Sequence, residues 1–296
     1  MNKEEMMKSN LEEINRILKD EEFMVQYASV KKNNVTKDAY RLIPKNGEVG
    51  FYSPVAYYDL IEDCISSPED VAMKLSEIWN CEMTQNFPDA KELASKEYIL
   101  NNVFPRVVSN SNTELIDYQN LVFKEFLDMY VIYYVNVEEL SDGTATYNLS
   151  KDMIEKIGLD TEELHTQAIK NLEKEVTIRD MQEVIMSIMG MCEAEELDFS
   201  QVPETIPMLV LSKKDNIFGA AAMLCPGVIE KLSSYWKDDF VILPSSIHEC
   251  ISVKMADNTE QELKEMVMEI NETQVSPEDR LTDSVYVYRN GEFHTF

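Results

Sequence analysis

Glycine, histidine and cysteine are all scarce in this chain. Its eight glycines among 296 residues form no G-x-x-x-x-G-K-[ST] loop, no G-x-G-x-x-G turn and no calcium-loop pattern, so the backbone signatures of nucleotide cradling are missing. The three histidines (His165, His248, His294) and five cysteines (Cys64, Cys81, Cys192, Cys225, Cys250) show no C-x-x-C and no zinc-type spacing. An odd number of thiols in mostly apolar surroundings reads as reduced, buried cysteine in a cytosol. No cofactor and no metal is expected. Long apolar runs are missing too: 130–135 and 217–225 fall far short of a membrane span. The start, M-N-K-E-E-M-M-K-S-N-L-E-E, has no apolar stretch of a secretion signal. The expected location is cytoplasmic. Positive charge is short as well, 27 Lys+Arg against 55 Asp+Glu for a net −28. Such a surface repels phosphates and anionic lipid, which argues against direct nucleic-acid or membrane binding and suits a basic protein partner.

What the chain does have is 44% hydrophobic residues, enough to bury a core. Met7, Leu11, Ile14 and Leu18 recur at helical spacing and predict a helix over 4–19. Strands are expected over 23–30 and 40–43, separated by K-K-N-N. Ser53-Pro54 and Ser67-Pro68 each place a capping serine before a proline, predicting helices over 54–64 and 68–80. Residues 86–94 read as loop or short helix. A β-branched and aromatic run predicts a long strand over 126–137, with an S-D-G-T turn at 141–144 and a return strand over 145–149. Ser150 caps a short helix that stops at Gly158, and Asp160 with Glu163 resembles a capping pair for a helix to about 173. Over 178–190, Met181, Val184, Ile185, Ile188 and Met189 share one helical face. The simplest reading of that stripe is core packing, with an exposed partner groove as the alternative.

The acidic, irregular stretch E-A-E-E-L-D-F-S-Q-V-P-E-T at 193–205 is the linker candidate. Beyond it, strands over 208–212 and 217–224 precede a helix from Pro226 to about 236. Strands over 240–243 and 247–255 precede a helix over 259–271 capped by Asn258. A terminal strand over 284–288 is closed by Asn290-Gly291. Two strand–strand–helix units plus a terminal strand give an α+β fold with a largely antiparallel sheet. The organisation expected is a helix and strand region over 1–125 and an α+β domain over 126–296.

The stretch F-V-I-L-P-S-S-I-H-E-C-I-S-V-K-M, 240–255, concentrates the polar chemistry. Ser245 or Ser246, His248 and Glu249 are the candidate nucleophile, base and orienting acid of a hydrolase-like site. Against it, no glycine-flanked nucleophile elbow surrounds either serine, and Pro244 with two serines is most simply a turn. H-E-C-I-S lacks the second histidine of a zinc protease. Read as a strand, 247–255 puts His248 and Cys250 on an outer face and Glu249 among apolar neighbours. There Glu249 needs a partner, for which Arg280 or Arg289 is expected. Gly219 to Ala222 read as small residues that let another backbone approach closely. Cys225 precedes a helix start, where a dipole lowers a thiol's pKa, but no cation stands near it in sequence. Glu262, Glu265 and Glu269 lie on an acidic helix, a solvated face that is also the best docking place for a basic partner.

The runs F-G-A-A-A-M-L-C-P-G-V-I at 218–229, F-V-I-L-P-S-S-I-H-E-C-I at 240–251 and N-E-T-Q-V-S-P-E-D-R-L-T-D-S-V-Y at 271–286 resemble a bacterial family of unknown function, domain of unknown function 5688. L-S-D-G-T-A-T at 140–146 and G-L-D-T-E-E-L at 158–164 are similar to it as well, and the resemblance is best over about 128–288. It implies a compact cytosolic domain and assigns no activity to any residue. The leading expectation is therefore a non-catalytic protein–protein interaction or regulatory module. The hydrolase at Ser245, Ser246, His248 and Glu249 is the alternative, and an acidic nucleic-acid mimic the second alternative.

Overall fold

A computed structural model describes residues 2–45, 54–83, 89–140, 143–199, 202, 205–255 and 259–296. The chain forms two compact units, Met1–Leu93 and Ala94–Phe296. In the first, helix α1 (Lys3–Ile17) opens on a capping box between Asn2 and Glu5. Strands β1 (Phe23–Lys31) and β2 (Thr36–Pro44) make an antiparallel hairpin, and β3 (Val55–Tyr57) extends it along β2. Helices α2 (Tyr58–Ile61), α3 (Pro68–Met83) and α4 (Ala90–Leu93) follow. Ser67 caps α3, accepting from the Asp70 amide at 3.2 Å. The helix expected over 54–64 is cut short because pairing of 55–57 with β2 claims its first residues; Ser53 lies outside the described residues. Met7, Ile14, Phe23, Tyr40, Leu42, Leu75 and Trp79 fill the core of this unit, with Phe23 stacked on Trp79 at 4.7 Å.

The second unit begins with α5 (Lys96–Asn102), β4 (Val103–Ser109), α6 (Thr113–Tyr118) and β5 (Phe123–Phe126). Then come β6 (Met129–Leu140), β7 (Gly143–Asn148), α7 (Lys151–Lys156) and α8 (Thr161–Glu173). Strands β4, β5 and β7 all pair antiparallel with β6. The organisation expected puts a boundary at 125, and residues 94–125 pack with this second unit through β4 and β5. Ser141 and Asp142 of the expected turn lie outside the described residues. Ser150 and Asp160 cap α7 and α8 as expected, and Gly158 turns the chain between them at φ 61°.

The rest of the unit runs β8 (Val176–Asp180), α9 (Met181–Ile188), β9 (Met208–Lys213), a 3-10 helix (Gly219–Leu224) and α10 (Pro226–Trp236). It ends with β10 (Phe240–Pro244), β11 (Cys250–Lys254), α11 (Glu260–Thr273), β12 (Tyr286–Arg289) and β13 (Glu292–Thr295). The six strands lie in the order β13-β12-β10-β11-β9-β8, every pair antiparallel. This is the expected α+β class with antiparallel sheets packed on helices.

Both faces of the six-stranded sheet are covered. Phe240, Ile242 and Cys250 point into the large core with Leu232 and Trp236 of α10, while Val241, Leu243 and Val253 meet Leu263 and Val267 of α11. Covered faces explain why β10 reads as one unbroken apolar run. Several polar groups in and beside the core pair with one another: Trp236 Nε1 donates to Ser252 Oγ at 2.9 Å, and Tyr286 Oη and Ser284 Oγ each donate to Asp128 at 2.7 Å.

Three expectations change here. The first strand–strand–helix unit does not form, because 217–224 is not a strand. Asp215 Oδ1 accepts from the Ile217 amide at 2.9 Å, and Asn216 and Phe218 both take positive φ (57° and 55°). That turn swings the chain off the sheet into the 3-10 helix, and β8 and β11 occupy the two sides of β9 instead. The helix after β11 is capped by Thr259 in a capping box with Glu262, not by Asn258, which lies outside the described residues. The hairpin at 240–255 has a five-residue connection, since β11 starts only at Cys250, paired with Pro244. The terminal strand gains a partner, β13, through the Asn290-Gly291 turn, whose residues both need positive φ (54° and 89°).

Candidate functional site

Ser245, Ser246, Ile247, His248 and Glu249 form the loop between β10 and β11, so period-two alternation does not apply to them. The loop's backbone is closely held. The Ser246 amide donates to Glu249 O (3.1 Å), Ile247 N to Asp279 O (2.8 Å), and Ala220 N to Ile247 O (3.3 Å). Ser212 Oγ donates to His248 O at 2.9 Å, and the His248 amide donates to Ser246 Oγ at 3.0 Å. Ile247 is buried and pins the loop to the core. Gly219 completes the fit: a Cβ there would lie 2.6 Å from His248 O and 2.5 Å from the Lys213 amide. The expected close approach at the small residues is thus real, although it occurs in a 3-10 turn.

Both ring nitrogens of His248 are engaged. Nδ1 accepts from the Phe218 amide at 3.3 Å, and Nε2 lies 3.2 Å from Asp279 Oδ1. Because Nδ1 is an acceptor, these partners select the neutral tautomer with the proton on Nε2, donated to Asp279. The imidazole also stacks on Phe218 at 5.6 Å. Ser245 Oγ donates to Glu249 Oε1 at 3.4 Å, and Ser276 Oγ to Asp279 Oδ2 at 2.8 Å. Ser245 therefore meets Glu249, and Ser246 meets the His248 backbone. Neither serine hydroxyl is placed on an imidazole nitrogen among the described residues.

The ion pair expected for Glu249 is not made. Arg289 pairs with Asp239 and, at 3.9 Å, with Glu260, while Arg280 donates to the carbonyls of Val275 and Glu272. The physical reason is the loop: Glu249 is half-buried at its rim rather than on an apolar strand face, so its carboxylate needs no buried cation. Cys250 is also not on an outer face. It is fully buried with its thiol directed at Ala220 O, 3.6 Å away, and burial pushes its pKa up. Burial, with Glu173 adding to it, likewise pushes the Cys225 thiol up to about 12, opposite to the lowering a helix start offers.

Behind His248 lies a cluster that sequence reasoning missed. The Arg106 guanidinium from β4 sits 4.6 Å from the Phe218 ring centre, and Tyr134 from β6 meets the same ring edge-on at 5.1 Å. The buried Lys213 ammonium donates to Tyr134 Oη at 3.0 Å and pairs with Asp215 at 2.7 Å. Burial pulls the Lys213 pKa down, but Tyr134 and Asp215 together more than offset it and leave it raised. The available signal was the polar S-K-K-D-N end of an apolar strand, which reads as a turn. The Lys213 contact with Tyr134 spans 79 positions and the His248 contact with Asp279 spans 31, and no local pattern encodes them.

Two surfaces complete the inventory. On α11, Glu262, Glu265 and Glu269 are all exposed. Glu262 is spent on the cap, accepting from the Thr259 amide and hydroxyl at 2.9 Å, which lowers its pKa, and Glu265 accepts from Gln261 at 2.7 Å. On α9 the expected core stripe is not buried: no residue of this helix is. Ile188 is 82% exposed, Met189 66% and, just beyond the helix, Met191 72%. The helix is short, capped by Asp180 at its start and ended by Gly190 at φ 71°. Glu193, Glu195, Glu196 and Asp198 follow in exposed positions, and no Lys or Arg occurs between Arg179 and Lys213.

Among the described residues no three of His, Cys, Asp or Glu come together as metal ligands, and no helix is long and apolar enough to cross a membrane. A family model described as Family of unknown function (DUF5688) matches residues 3–290, and the chain belongs to that family. No curated protein and no solved structure matches it.

Proposed function

We propose that this chain works as a non-catalytic interaction module that binds another protein through the apolar face of α9. The observation that carries the reading is the exposure of Ile185, Met186, Ile188, Met189 and Met191 in one short segment. Clustered apolar exposure of this kind is costly in water and characterises docking surfaces. Methionine suits the task because its unbranched, polarizable side chain repacks against differing partners. The acidic run that follows, with no compensating base, favours a partner segment that is itself amphipathic and basic. The loop at Ser245, Ser246, His248 and Glu249 supports this choice negatively, since its polar groups bind one another and the backbone.

The test is capture from a native lysate with the full chain and with an Ile188→Asp/Met189→Asp variant, followed by crosslinking to map the contact. The expected result is a stoichiometric protein held through a basic amphipathic segment and lost in the variant. Retention by the variant, or crosslinks that avoid α9, would contradict it. Charge reversal of Glu262 and Glu265 in parallel reports whether α11 contributes. Self-association through α9 in sedimentation velocity would make a second copy the occupant and replace the reading.

A further inference from the structure

We propose that Arg106 anchors a binding site for a small oxyanion, a carboxylate or a phosphate group. The residue is half-buried on β4, and its Nε lies inside with no hydrogen-bond partner. Among the described residues no carboxylate pairs with it; its neighbours are the Phe218 ring at 4.6 Å and, through that ring, Tyr134. Acid is not in short supply in a chain with 55 Asp+Glu, and other partly buried cations find theirs. Lys213 has Asp215 and Tyr134, and Arg289 has Asp239. The Nε–H of this half-buried guanidinium is withdrawn from water without a hydrogen bond, and an orphaned buried donor in a native fold calls for an explanation. A bound oxyanion supplies one, because the planar fork matches carboxylate or phosphate oxygens in a bidentate pair.

The surroundings hold the guanidinium in place rather than neutralise it. Phe218 is fixed in the left-handed region at φ 55° by its amide's bond to His248 Nδ1 and by the tight packing of Gly219 behind it. Strain of that sort persists only where the surroundings over-determine it, and it clusters at ligand sites. Here it sets the ring against Arg106. Burial lowers the Arg106 pKa to about 10, which still leaves it charged at neutral pH. In this reading the His248 loop has a positioning role: it orders Phe218, and Phe218 orients Arg106.

The experiment titrates inorganic phosphate and, separately, acetate into the full chain at constant ionic strength, following the backbone amide resonances at positions 106 and 218, which every variant keeps. Arg106→Met and Arg106→Lys are run alongside, with melting temperatures taken without either anion. Expected is saturable perturbation of these amides by one of the two anions, which identifies the ligand class. That response should be absent in Arg106→Met and at least ~10-fold weaker in Arg106→Lys, which keeps the charge and loses the fork. Arg106→Met should melt at or above the wild-type temperature, because it removes a buried donor that has no partner. Saturation that survives Arg106→Met, no saturation by either anion, or unfolding of Arg106→Met would each overturn the proposal. The last would make stacking on Phe218 the residue's whole role.

Discussion

Helices α9 and α10 carry the same kind of sequence pattern and meet opposite fates. Each spaces apolar residues along one face. In α10 that face is sealed, with Val228, Leu232, Tyr235 and Trp236 buried against the sheet. In α9 none is buried. Helical periodicity identifies which side chains share a face, but it carries no information about what covers that face. Alpha-11 falls between the two: Leu263, Val267 and Asn271 are buried while Met266, Met268 and Ile270 stay partly exposed. The difference between core and interface is therefore a tertiary fact written in a local pattern that looks the same for both.

The contrast is broken most forcefully at its buried end. Leu232→Ala in α10 should cost about 2–5 kcal/mol of unfolding free energy, since it leaves a cavity in a fully enclosed site. Urea unfolding monitored by circular dichroism measures it. Thr259→Ala in α11 removes a capping box and should cost about 1 kcal/mol. Ile188→Asp in α9 should change stability by no more than about 0.5 kcal/mol in either direction, because a side chain already in water loses nothing on becoming polar. A large loss there would place α9 in the core and erase the comparison.

The smallest effect concerns pH. His165 Nδ1 on α8 is hydrogen-bonded to Tyr133 Oη at 2.9 Å, and burial, reinforced by Lys124, lowers its pKa. With the folded pKa below the unfolded one, the unfolded chain takes up its proton first as pH falls through about 6.5. Stability contributed by neutral His165 is thus present above that pH and declines below it. His165→Gln should flatten the slope of stability against pH between about 7.5 and 5.5. An unchanged slope would mean His165 titrates alike in both states.

Much of the fold was legible because its signals are local. Ser67, Ser150 and Asp160 cap the helices they were expected to cap, and Asn290-Gly291 makes its turn. The run at 217–224 misled because a short apolar segment of small residues fits a strand or a tight helix equally, and Asp215 with two positive-φ residues decided it. At 245–249 the period-two reading failed for a different reason. Ile247 is buried from a loop, where burial comes from its bonds to Asp279 and Ala220 and not from a pleat. That change of element moved Glu249 off an apolar face, whereas Cys250, the first residue of β11, is buried because both faces of the sheet are covered. The Arg106, Phe218, Tyr134 and Lys213 cluster depends on pairings distant in sequence, which composition and spacing do not encode.

Methionine oxidation read by mass spectrometry tests the central claim most directly. In the isolated chain, brief peroxide treatment should oxidise Met189 and Met191 quickly and leave buried Met7, Met129 and Met223 nearly untouched. In native lysate, Met189 and Met191 should become protected while Met73, 61% exposed in the first unit, reacts as before. Protection confined to the α9 segment is the result a docked partner produces. Equal reactivity of Met189 and Met191 relative to Met73 in both settings would contradict the account.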